Sequence, residues 1–164
     1  MATTGSEFPV HTVRIPGAIE HAAQRWARVV VAGTRAREDP KTFATWGRCV
    51  GASGSALRQW SYAAGVQPRA SITFVRLLRA VLRSDGSQWD PQNVLDVIDT
   101  RTLHKLLVAG GLDTVRRGST EIPPPREFLQ RQGIITDMKL LSEVARELDA
   151  WSTSFGRHAS PTRK

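Results

Sequence analysis

Cysteine is nearly absent from this chain of 164 residues: Cys49 stands alone. A single thiol excludes an internal disulfide and any zinc site built from several cysteines. Long apolar runs are missing as well. The run Val29 to Val31 falls far short of the roughly 20 apolar residues that cross a bilayer. No basic start followed by an apolar stretch marks a secretory leader. Together these absences lead to the expectation of a reducing, cytoplasmic setting. No strand-like alternation occurs, nor any repeat of fixed period. Helical spacing recurs instead, and it predicts an all-α fold of six to eight helices.

Acidic residues are scarce in one region. Residues 21–83 set eleven Arg or Lys against only Glu38 and Asp39, a net +9. Residues 84–164 carry eleven side chains of each sign, and residues 1–20 net −1, so the total is +8. A polyanion would therefore attract and orient the first of these regions. The competing reading is that basic composition only aids solubility, and segregation this sharp weighs against it.

The stretch Phe43 to Tyr62, FATWGRCVGASGSALRQWSY, lies inside that region and fits the helix-turn-helix pattern without a gap. Two helices crossing steeply need a small residue on the first helix and one tolerant of positive φ in the turn. Gly47 and Gly51 meet those needs. Trp46, Val50, Ala52, Leu57 and Trp60 supply a small shared core, and Ser53 caps the second helix. An ordinary helical hairpin inside a core is the alternative.

Around this stretch the periodicity predicts further helices. Ile19, Ala22, Ala23, Trp26, Val29, Val30 and Gly33 predict a helix over 17–34. Asp39-Pro40 reads as an N-cap and first helical residue, which starts the next helix at Pro40. Gly65 is a left-handed stop, and Pro68 opens a helix to about Arg83 with Arg69, Arg76, Arg79 and Arg83 off its apolar stripe. Asp90-Pro91 and Asp99 open two more short helices, ended by Gly110-Gly111. The expected organisation is a flexible tail (1–16), a helical domain (17–111) with the helix-turn-helix at 43–62, and a linker (112–127). A C-terminal helical appendage (128–152) and a disordered tail (153–164) complete it. The spacing of Ile134, Met138, Leu141, Ala145 and Leu148 suits either self-association or packing back onto the chain's own domain.

In a helix-turn-helix the second helix enters the major groove, with residues near its N-terminus on base edges. The outward positions here are Ser53, Gly54, Ser55, Arg58, Gln59 and Tyr62. Arg58 matches guanine O6 and N7, and Gln59 matches adenine N6 and N7. The expected base readers are Ser55, Arg58, Gln59 and Tyr62, although Tyr62 can equally pack on the helix that follows. The expected backbone contacts are Lys41, Arg48, Ser53 and Arg69, which position rather than specify.

Other groupings carry less. Gly51 to Ser55 lacks the Gly-Lys-Ser/Thr ending of a nucleotide-binding loop and follows a helix rather than a strand. Asp96, Asp99 and His104 are explained more simply by helix capping and solvation than by acid–base or metal chemistry. No catalytic set stands out, so the chain is read as a non-enzyme without cofactor, metal or small-molecule ligand.

Residues 46–81 resemble the DNA-binding domain of the arabinose-operon-regulator (AraC-type) family. The match rests on Ser53, Leu57, Trp60, Gly65, Pro68 and the stretch FVRLLRA from Phe74 to Ala80. The resemblance implies sequence-specific DNA binding and transcriptional control, in the cytoplasm and on the nucleoid when bound. By position it points to Arg58 and Gln59 as readers. It covers about a quarter of the chain. Family members carry two helix-turn-helix units, of which the second falls here on the acidic region 90–110, and no sugar-binding barrel is present. The expected partners are double-stranded DNA and a second copy through residues 134–151, with no membrane contact. The alternatives are a helical protein-interaction module without DNA contact, and the DNA-targeting part of a recombination or mobile-element system.

Overall fold

A proline starts four of the helices. The structure, a computed structural model, describes residues 16–84, 90–112 and 122–156, and within them every regular element is helical. In chain order these are α1 (Pro16–Gly33), α2 (Phe43–Val50), α3 (Gly54–Ala63) and α4 (Pro68–Arg83). They are followed by α5 (Pro91–Val94), α6 (Thr100–Ala109), α7 (Pro125–Arg131) and α8 (Met138–Gly156). The described residues thus hold eight helices and no strand, at the upper end of the expected number. Pro16, Pro68, Pro91 and Pro125 sit at first helical positions, where their missing N–H costs nothing.

The core runs through α1 and α4. Trp26 of α1 stacks on Phe74 of α4 at 5.8 Å, and Phe74 stacks on Phe128 of α7 at 6.0 Å. All three rings are fully buried. The Trp26 indole N–H donates to Ser71 Oγ at 2.9 Å, so its polar end is satisfied inside the core. α8 packs along α1 and encloses Leu140, Leu141, Val144 and Leu148. The apolar stripe of α8 is therefore largely turned onto the chain's own first helix, and Met138, 67% exposed, is left outside.

Several expected boundaries move. α2 begins at Phe43, not Pro40, and its N-cap is Thr42, whose side-chain oxygen accepts from the Thr45 N–H at 3.1 Å. Asp39 does not cap it, because its carboxylate accepts from Arg76 Nε at 2.8 Å and is buried. The expected linker is packed at both described ends. Leu112 and Pro123 are buried and α7 opens at Pro125, while 113–121 lie outside the described residues. α8 continues past Trp151 to Gly156, inside the expected C-terminal tail. The remaining tails, 1–15 and 157–164, lie outside the described residues.

α4 does more than present an apolar face. Arg79, only 4% exposed, donates from Nε to the Ala36 carbonyl at 2.9 Å and from its two terminal nitrogens to Val94 and Arg37. Arg76 reaches Asp39 and the Leu95 carbonyl, and Arg83 reaches the Ala36 carbonyl at 2.8 Å. The Ala36 and Arg37 carbonyls belong to the loop after α1, and those of Val94 and Leu95 to the end of α5, where a helix leaves acceptors unpaired. Burial, and then the like charge of Arg83, lowers the Arg79 pKa from its ordinary value. Sequence spacing placed these arginines off the apolar stripe, and Arg79 is instead a buried clamp.

Candidate nucleic-acid interface

The α2–α3 turn is closed by backbone contact. A Cβ built on Gly47 would lie 2.3 Å from the Ala52 carbonyl oxygen, so no side chain fits there. The Ala52 N–H donates to the Gly47 carbonyl at 2.9 Å. Gly51 takes φ 69°, the left-handed conformation that ends α2. Ser53 Oγ accepts from the Ala56 N–H at 3.1 Å and starts α3. Trp46 and Leu57 are fully buried between the two helices, with Val50, Ala52 and Trp60 partly buried beside them. These are the five apolar positions the motif needs.

α1 seats the pair. The Trp46 indole N–H donates to the Val29 carbonyl at 3.0 Å. The indole lies against Gly33, where a Cβ would stand 2.4 Å from its nitrogen. α3 is thereby fixed through α2 to the central helix.

Of the expected outward positions of α3, Gly54 is half-buried against Phe43, and the others are exposed. Ser55, Arg58, Gln59 and Tyr62 are all exposed, at positions i, i+3, i+4 and i+7. Tyr62 is 62% exposed and so does not pack under the following helix. The Arg58 guanidinium lies 4.8 Å above the Phe43 ring, which steadies it without occupying its N–H edge.

The expected backbone contacts divide. Arg48 and Arg69 are exposed and form no ion pair among the described residues. Ser53 is engaged as the cap. Lys41 is ion-paired with Asp96 in the turn after α5, so a phosphate would have to compete for it. The hydrogen bond from Lys41, followed by its charge, holds the Asp96 carboxyl below the usual carboxylate range.

The basic excess of residues 21–83 is therefore not all available. Arg76, Arg79 and Arg83 are tied to Asp39 and to backbone carbonyls. Arg28 meets Glu147 at 3.4 Å, and Arg25 lies 5.8 Å over Trp60. Composition could not reveal this division, because it depends on which helix faces reach the 34–41 loop.

The region after α4 resembles α2–α3 only in part. α5 is a single turn of four residues, and Asp96 at φ 45° takes the place of a turn glycine. Asp99 caps α6 by accepting from the Arg101 and Thr102 N–H groups, and His104 is exposed. Among the described residues no group of three His, Cys, Asp or Glu side chains is placed to hold a metal, and no helix is long and apolar enough to cross a membrane. No protein-family model, curated protein or solved structure matches the chain.

Proposed function

We propose that this protein binds double-stranded DNA sequence-specifically and acts in transcriptional regulation, with α3 in the major groove. The observation that carries this reading is the stripe Ser55, Arg58, Gln59 and Tyr62, exposed on a helix whose entry is fixed by the Gly47–Ala52 contact. An exposed arginine and glutamine at the middle of a short helix suit base edges. Arg48 and Arg69, exposed and without an ion pair among the described residues, suit phosphates.

The test is selection from a random duplex library across a salt series, with Arg58→Ala and Arg48→Ala alongside the wild type. An enriched motif with a steep salt slope supports the reading. Arg58→Ala then relaxes one base position, whereas Arg48→Ala weakens all sequences alike. Equal loss on specific and random duplexes for Arg58→Ala would remove it as a reader.

A second reading, a protein-interaction module, has one observation in its favour. A groove of about 460 Å³ between α7 and α8 is walled by Leu129, Met138, Leu141 and Ala145. Val144 and Leu148 are closed against the chain's own core and do not extend it. Self-association through residues 134–151 would have to use this Met138 side. A palindromic selected motif would support a dimer.

A further inference from the structure

The corner between α1 and α2 holds a groove of about 450 Å³ that none of the roles above fully uses. Its lining includes Arg35, Arg37 and Arg48, with Thr45, Cys49 and a single carboxylate, Glu38. All three arginines are exposed, and none forms an ion pair among the described residues. Arg35 is held differently from the others. Its guanidinium lies 4.7 Å above the Trp151 ring of α8. A guanidinium stacked on an indole keeps its in-plane N–H edge free for an anion, and it loses less freedom on binding.

We propose that this groove binds phosphates of the DNA backbone outside the base pairs that α3 reads, and that Trp151 is the positioning residue for Arg35. The proposal rests on the DNA-binding reading above. Thr45, Arg48 and Cys49 share the face of α2 opposite its buried residues Phe43, Trp46 and Gly47. Arg48 thus belongs both to the outward face of the helix that crosses the backbone and to the groove. The groove is open and its three arginines are all exposed, which suits an extended polyanion better than a small enclosed one. It also gives α8 a part in the interface: the C-terminal helix braces a phosphate contact from behind.

The experiment uses the full chain, the selected motif and two duplexes. One covers the motif alone, and the other adds a helical turn, roughly 10 base pairs, on each side. Wild type is expected to bind the longer duplex more tightly. Arg35→Gln/Arg37→Gln should lose that preference and keep the selected motif. Its slope of log affinity against log salt should fall by about 1.8, at about 0.9 for each lost phosphate contact. Trp151→Leu, which keeps every charge, should lose part of the same preference. Arg37→Gln alone changes only an exposed side chain and should lower the slope by about 0.9, which guards against misfolding in the other variants. An unchanged slope and flank preference in folded Arg37→Gln and in the double variant would overturn the proposal. Saturable binding of inorganic pyrophosphate, lost in the variants while the slope stays unchanged, would assign the groove to a free phosphate ligand instead. If wild type bound neither duplex, the DNA-binding reading itself would fall.

Discussion

α3 and α6 end alike, whereas the segments leading into them differ. After α3 the Gly65 N–H donates to Tyr62 and the Val66 N–H to Ser61; after α6 the Gly111 N–H donates to Val108 and the Leu112 N–H to Leu107. Gly65 and Gly111 take φ 77° and 64°, and Val66 and Leu112 are both buried. On the outward side, Ser55, Arg58, Gln59 and Tyr62 of α3 correspond to Arg101, His104, Lys105 and Val108 of α6, all exposed. Before α3, however, stands an eight-residue helix closed against the turn by a glycine, and before α6 a four-residue one. The lesson is that an exposed outward face is shared by both helices, and that only α3 has a rigid partner helix in front of it, the feature on which the proposed reading rests.

That comparison is best broken at Gly47. Gly47→Ala places a methyl group against the Ala52 carbonyl and should cost about 2–3 kcal/mol in urea unfolding, with loss of duplex binding. No residue of α5 should be as sensitive. Arg79→Ala should follow closely. It leaves the Val94 carbonyl without its donor and those of Ala36 and Arg37 with Arg83 alone, and about 2–3 kcal/mol is expected by the same measurement. It should loosen both helix pairs, which would register as faster amide exchange in α2 and α6 together.

Smaller effects test the two outward faces. Arg58→Ala should cost about 1–3 kcal/mol on the best duplex and relax one base, read by selection. Lys105→Ala should leave the selected motif unchanged. A relaxed base in that variant would make α6 a reader as well. The smallest effect concerns pH. α2 and α3 are capped by the hydroxyls of Thr42 and Ser53, whereas α5 and α6 are capped by Asp90 and Asp99. The Asp99 carboxyl is held below its ordinary value of 3.8, first by the Thr102 hydroxyl and then by the Thr102 N–H. A depressed carboxylate adds stability above its unfolded pKa, and that contribution is lost as pH falls through the lower folded value. Below about pH 4, amide protection in the first turn of α6 should therefore fall while that of α3 holds. Equal loss in both would show that the caps do not set the difference.

What was legible in the sequence was local. Gly47, Gly51, Ser53 and Gly65 act within a few residues of themselves, and their roles followed from spacing and φ preference. Asp90 and Asp99 were legible as caps for the same reason. Asp39 was misread because the Asp-Pro pattern is a local signal, and its carboxylate is claimed by Arg76 from a helix distant in sequence. The clamp of Arg79 was hidden likewise, since an arginine off an apolar stripe looks solvated until a loop closes over it. The stripe on α8 suited two partners equally, and only its packing along α1 decides how much of it is enclosed. Of the candidate interface, the α3 face was legible as a pattern, whereas the proposed corner of Arg35 and Arg37 was not, because Trp151 comes from the far end of the chain.

The arginine clamp on α4 has a kinetic consequence. On the proposed DNA-binding reading, Arg76, Arg79 and Arg83, net of the paired Asp39, would still contribute to the field around the molecule and so help draw the duplex in and raise the association rate. With their donors on Asp39 and backbone carbonyls, they would have little left to hold such a complex once formed. On that reading, encounter and residence would draw on different arginines. Removing an exposed one should shorten the lifetime of the complex, and the clamp's charge should be felt mainly in how often partners meet.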